Sequence, residues 1–470
     1  MKKVLLASAS TLVLGLASSA AWAAGSSSYV NQDGTSQVAT IDQTGATNGQ
    51  VGTAANPFTQ ENGTGTGGNV ISITQTGTDN SFGGSQSGTT NSGSVVQNGT
   101  SGLANIQQTG TSNSGSISQG ANAVANIATV SEIGNNNTFT IGQEGAGSGN
   151  VNQVTALQLG DGNNVSSSQT GAQLLLLATQ TGNGNVISNL QTGSVNKAIL
   201  TQASSGGSSN SAASNQSGTG NWLIAAQTSD TGNNVLGSTQ NGASTATVNQ
   251  TGTAHGQNWI SNLQTASTAD LTQNGGNNTI SNTQVAGSDA TIVQTNTGLG
   301  LNSVVNNQSA SNANVTQNGG NNALNNLQAG GASLTASQTN TGGGLNQISN
   351  NQSGAVTANL TQNGFLLTIN NTQSGSGSVT VNQGGNNQTA SVWQNIAGSI
   401  NVTQTGQWNV ASLVQNGSGN VITGTQDGSG TGVGSQNVAT VSQGTTTTQS
   451  NNNTASYSQT GFGHSVSISQ

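Results

Sequence analysis

The stretch Asn69-Val70-Ile71-Ser72-Ile73-Thr74-Gln75-Thr76-Gly77 sets a frame of Asn, five residues, Gln, one residue, Gly. It returns 11 residues later as Asn80 to Gln86 with Gly88, then as Asn91 to Gln97 with Gly99, and Gln108 with Gly110 keeps the spacing. A period this short and this sustained marks a repeat architecture, in which one arm cannot bury its apolar face until a neighbour stacks on it.

Read as a strand, the arm places Asn69, Ile71, Ile73 and Gln75 on one face and Val70, Ser72 and Thr74 on the other. Asn137 to Gln143, Asn409 to Gln415 and Asn420 to Gln426 repeat the arrangement. The expected inner face is therefore amide, apolar, apolar, amide. Apolar spacing of three and four, which a helix needs, is missing. Gly77, Gly88, Gly99 and Gly110 read as turn residues, because glycine takes positive φ without steric penalty. Stacked copies would let each buried Asn and Gln bond to its counterparts in amide ladders.

The middle of the chain fixes how many arms make one coil. Asn258 to Gln264 alternates with Ser267 to Gln273, followed by Asn278 to Gln284, Ser288 to Gln294, Asn302 to Gln308, Ser311 to Gln317 and Asn322 to Gln328. Like stacks on like only if a coil holds an even number of arms, and two is the simplest solution. The expectation is an all-β, amyloid-like, two-sided solenoid of strand-turn-strand coils, about 22 residues each. Roughly 35 arms give about 17 coils.

Composition alone would point to disorder: 30% of residues are apolar, 3% aromatic and 3% charged. The phase-locked frame argues against that, since a solvating tract has no use for it. A net charge of −8 and a lone cation after residue 3, Lys197, make nucleic acid an unfavourable partner. The scattered acids, with Glu132 in a Gln slot and Asp270 and Asp289 on outward positions, read as brakes on premature association. There is no Cys for a disulfide or thiolate site, and the single proline, Pro57, fits a strand stack, which excludes proline.

Residues 1–23 read as a secretory signal: Lys2 and Lys3, an apolar run from Val4 to Leu16, and the small-x-small site Ala21-Trp22-Ala23. No stretch is apolar for long enough to span a membrane as a helix. Residues 24–68 read as an irregular N-terminal leader and 69–470 as the array, whose final arm, His464 to Gln470, runs to the last residue with no cap after it. An uncapped, low-charge strand edge is a template for another chain. His255 and His464 lack companion ligands, Ser lacks a base and orienting acid, and the acids are too dispersed to pair; neither enzyme nor cofactor is expected. Trp222 and Trp259 follow a starter Asn and are expected to point outward, as are Trp393 and Trp408.

The frame resembles the curlin repeat of curli-type functional amyloid subunits, usually written Ser-x5-Gln-x-Gly-x4-Asn-x5-Gln with some latitude between the halves. Ser267 to Gln273 with Gly275 and then Asn278 to Gln284 follow it closely, as do Ser311 to Gln317 with Gly319 and then Asn322 to Gln328. The likeness covers nearly all of 69–470. It departs from the family in length, with several times the usual repeats, in its many Asn starters, and at Gly102, Leu174 and Ala332, which replace the starter. The resemblance implies a secreted, self-assembling fibre subunit at the cell surface, exported through a dedicated outer-membrane pore, seeded by a nucleating curlin-like subunit, and serving biofilm matrix and adhesion. The alternative from the residues is a β-solenoid that does not polymerise, an adhesin or an ice- or glycan-binding protein.

Overall fold

The computed structural model describes residues 25–43, 46–62, 67–145, 151–253, 256–296, 298, 300–428, 436–445 and 448–470. The expected signal segment 1–23 and His255 lie outside them. The described residues are all β, with strands β1 (Ser27–Ser28) to β38 (Ser465–Ser469) and no helix long and apolar enough to cross a membrane. They fall into two compact units, Met1–Ala243 and Ser244–Gln470. Each is a parallel β-solenoid with two arms per coil, as the even-arm argument requires.

In the first unit, β6 (Val70–Gln75) pairs in parallel with β8 (Ser92–Gln97), which pairs with β10 (Ser114–Gln119); β7 (Ser81–Thr89) pairs with β9 (Leu103–Thr111) in the alternate stack. Register is set copy on copy: Ile73 opposes Val95 and Gln75 opposes Gln97. A slip of one residue would turn every inner side chain outward, so the buried face specifies the register. Residues 24–68 contribute β2 (Val30–Asp33), β3 (Val38–Asp42) and β5 (Phe58–Asn62) to the same stacks, β2 on β5, β3 on β6 and β5 on β7. In the second unit the same rule holds, with one variation. β31 (Thr357–Gly375) and β32 (Ser378–Asn395) each run through two arms and the corner between them, pairing from Thr357↔Ser378 to Ser374↔Asn395.

Alternation gives the core. In β22 (Asn258–Thr265), Asn258, Ile260, Asn262 and Gln264 are buried while Trp259, Ser261, Leu263 and Thr265 face out. Asp270 and Asp289 are exposed, as are Trp222 and Trp408.

The corners differ from the sequence expectation. Left-handed backbone falls on the residue just before the starter, and this residue need not be glycine: Asp79, Thr90, Ser101, Ser112, Ala125 and Asn136 all have φ between 55° and 59°. Gly88 and Gly110 do adopt positive φ, at 110° and 125°. Gly77 and Gly99 are not in that region; a Cβ on Gly77 would lie 1.6 Å from the Gly99 carbonyl oxygen, and one on Gly99 would lie 2.2 Å from that of Ala123. At those two corners glycine is required by the close approach of the next coil.

Candidate functional site

The chemistry of the molecule is concentrated in its buried amides. With the exception of Glu132, the regular arms end in Gln on the inner face, six residues after the starter. The Nε2 of that Gln donates to the Oε1 of the Gln one coil further on. Gln75 donates to Gln97 at 2.8 Å, Gln97 to Gln119 at 2.9 Å, Gln119 to Gln143 at 3.0 Å, and Gln86 to Gln108 at 2.7 Å. In the second unit, Gln264, Gln284, Gln308 and Gln328 follow one another at 3.0–3.2 Å, and Gln273, Gln294 and Gln317 at 2.7–2.9 Å. Gln415 and Gln426 donate to Gln443 and Gln459. Gln470 takes the same place, accepting from Gln443 at 2.9 Å, although it is exposed. The run begins before residue 69: Gln32 donates to Gln60 and Gln60 to Gln86.

The same nitrogen also crosses the coil. Gln97 Nε2 reaches the Ser81 carbonyl at 3.1 Å and Gln143 Nε2 that of Ile127 in β11 (Ile127–Ile133) at 3.0 Å. A Gln bonded in this way holds its own stack together and ties it to the opposite one. Only a side chain that both donates and accepts can do this, which is why the Gln slot is so uniform.

The starter Asn works differently from the expected copy-to-copy ladder. In the first coils its Oδ1 accepts the backbone N–H of the next starter, as in Asn91 to Asn69 at 3.0 Å and Asn137 to Asn113 at 3.0 Å. Its Nδ2 donates to backbone carbonyls, Asn69 to Glu61 and Gly88, Asn80 to Gly99, Asn91 to Ser87 and Gly110. Side-chain pairing joins in further on, for example Asn278 to Asn258 at 2.9 Å and Asn322 to Asn302 at 3.1 Å. Asn409 and Asn420 keep both modes, accepting from Asn437 Nδ2 and from the Asn453 N–H. The backbone mode explains the odd starters. Gly102 and Leu174 supply an N–H as well as Asn does, to Asn80 Oδ1 at 2.9 Å and Asn152 Oδ1 at 3.0 Å.

A third ladder escaped the amide, apolar, apolar, amide rule. Asn262, Asn282, Asn306, Asn326, Asn350 and Asn371 occupy the third inner position of successive coils, all buried. Each Nδ2 from Asn282 onward donates to the preceding Oδ1 at 2.7–2.8 Å. Each of the six also donates to the Oε1 of the Gln two residues on, at 2.8–3.0 Å. Asn262 is visible in the sequence frame itself, and its recurrence every 20 to 24 residues is the signal that reveals the ladder.

One Gln slot holds a carboxyl. Glu132 in β11 is fully buried, and its Oε2 accepts from Gln108 Nε2 at 2.8 Å. Burial pushes its pKa up from 4.5 to about 8, against the smaller opposing pull of the Gln108 bond. Tyr457 is the other displaced group: burial raises it above its ordinary range, and its ring fills the space over Gly424. On the outside, Lys197 Nζ sits 4.8 Å from the centroid of the Trp222 ring one coil away. No cluster of three or more His, Cys, Asp or Glu suited to a metal ion occurs among the described residues.

No family model matches the sequence, and no curated protein matches it. What the geometry defines is a class: parallel β-solenoids with two-arm coils and internal amide ladders.

Proposed function

We propose that the chain is a secreted structural subunit of a curli-like extracellular fibre, extended by stacking of one molecule's coils on another's and contributing to biofilm matrix and surface adhesion. The observation that carries this reading is the polarity of the Gln ladders. Apart from the break at Glu132, the rungs donate forward and accept from behind, so an end rung is complementary to the opposite end of a second copy. At the C-terminal end, β37 (Thr454–Thr460) pairs with β35 (Asn420–Gly428) and β38 with β36 (Asn437–Gln443). Among the described residues no strand covers their other edges. Parallel strands with matching amides are the elements of a cross-β stack. A nucleating curlin-like subunit and an outer-membrane export pore are the partners this role calls for.

The test is assembly of the purified chain lacking residues 1–23. Expected are thioflavin-positive fibres with a cross-β reflection at about 4.7 Å along the fibre axis. A protein that stays monomeric at every concentration, with the far-UV spectrum of a folded β protein, overturns the fibre reading and leaves the non-polymerising adhesin.

A further inference from the structure

The stack that contains Glu132 is interrupted in one place. From Gln32 to Gln108 before it, and from Gln158 to Gln227 after it, the forward nitrogen of one Gln meets the backward oxygen of the next. Glu132 has no nitrogen to offer. Its Oε1 is buried without a partner, and so is Gln158 Oε1, the acceptor on the residue directly opposite it in β13 (Gln153–Leu159). Gln158 is otherwise normally engaged, its Nε2 donating to the Thr138 carbonyl and to Gln180 Oε1, both at 3.0 Å. Two acceptors on adjacent rungs leave room for one hydrogen between them.

We propose that Glu132 is a proton-operated rung of the ladder: as the neutral acid its O–H donates to Gln158 Oε1 and closes the stack, and loss of that proton to solvent sets two acceptors against each other and loosens the coil between β11 and β13. The elements around it offer no compensating charge. β9 and β13, which flank it, and β10 carry no titratable side chain. The remaining neighbour, β12 (Thr138–Gly145), carries only Glu144, which is exposed, and Asp161 in the corner after β13 is also exposed. Lys197 lies on β17 (Lys197–Ser204), three strands along the same stack.

The sign follows from the two states. In the unfolded chain the carboxyl titrates near 4.5; in the coil burial holds it at about 8. Below 4.5 both states carry the proton. Between 4.5 and 8 the folded state binds a proton that the unfolded state has released, so stability falls as pH rises through this window, and above 8 the whole penalty is present. The folded coil thus keeps its proton and stays closed up to about pH 8, while its margin over the unfolded chain shrinks from pH 4.5 upward.

Glu132→Gln restores an ordinary rung without changing shape, and it isolates the effect. The expected result is that denaturation midpoints of the whole wild-type chain and E132Q coincide near pH 4.5, separate steadily in favour of E132Q up to about pH 8, and then run parallel. A separation independent of pH, or an E132Q chain that is weaker throughout, overturns the proposal. Infrared difference spectra at pH 6 give a second, independent readout. A protonated carboxyl C=O band present in wild type and lost in E132Q supports it, and carboxylate bands in its place overturn it.

Discussion

The third inner position of one stack follows opposite courses in the two units. In the first it is apolar at Ile73, Val95, Ile117 and Ile141, then becomes polar with a single Asn among serines, Ser167, Asn189, Ser214 and Ser238. Asn189 reaches Ser167 Oγ at 3.3 Å, while Asn189 Oδ1 and Ser214 Oγ are buried without partners. In the second unit the position is Asn six times running, and the network is closed on every rung up to Asn371. Polarity at a core position is therefore not what decides whether it is tolerated. Repetition is: a buried amide is satisfied when the coil above and the coil below present the same group at the same height. An isolated one leaves orphans, each costing about 1–3 kcal/mol.

The largest expected effect comes from removing a middle rung. Asn306→Leu keeps the volume but strips Asn282 Oδ1 of its donor at 2.7 Å and Asn326 Nδ2 of its acceptor at 2.7 Å. One orphaned oxygen, together with an amide nitrogen that keeps only its bond to Gln328, in a connected network gives a loss of roughly 2–5 kcal/mol, read as a lower denaturation midpoint. Asn189→Leu is the matched change in the first unit. It removes an oxygen already without a partner and one long bond, so its effect should stay within about 1 kcal/mol of zero. Equal losses at the two sites would break the comparison.

This contrast also marks the limit of what could be read in advance. The inner face, the two arms per coil and the Gln stacks follow from the frame beginning at Asn69, because alternation and even-arm stacking depend only on spacing. The Asn column did not emerge, because Asn262 was absorbed into a pattern generalised from Ile73 and its like. The starter's use of backbone N–H groups could not be read either. Asn91 bonding to Asn69 Oδ1 through its main chain depends on the height of one coil over another, which no single arm encodes. The corners repeat the lesson. Gly77 is glycine because the Gly99 carbonyl comes down on it, and Thr90 is left-handed because the corner geometry demands it there whatever the side chain. Glu132, by contrast, announced itself as the exception in a Gln slot; what it does there needed the opposing oxygen of Gln158.

Converting a piece of the first unit toward the second gives a gain of intermediate size. Ser214→Asn places an amide opposite Asn189, whose Oδ1 lacks a donor. By the geometry of the second unit its Nδ2 would donate to that oxygen and to Gln216 Oε1 two residues on. The expected outcome is a rise in stability of about 0.5–1.5 kcal/mol, seen as a higher denaturation midpoint, with slowed amide exchange in β16 (Val186–Ser194) and β18 (Asn210–Ser217). A loss would mean that the first unit's coils lack room for the larger side chain, and that spacing rather than repetition separates the units.

The smallest effect is expected where the Asn ladder stops. Asn371 Oδ1 is unpartnered because Val392 stands opposite it and has nothing to donate. Val392→Asn supplies that donor. The new side chain's own oxygen then faces Leu413, which cannot donate either. The orphan moves one coil up instead of vanishing, and one buried apolar side chain is lost while one hydrogen bond is made. These terms are of similar size, about 1–2 kcal/mol each, so the net change should lie within about 1 kcal/mol of zero. Adding Leu413→Asn should displace the orphan again at little further cost in its ladder. If instead the first substitution stabilises by several kcal/mol, an open end is more costly than a broken middle, and ladder length rather than continuity governs the second unit.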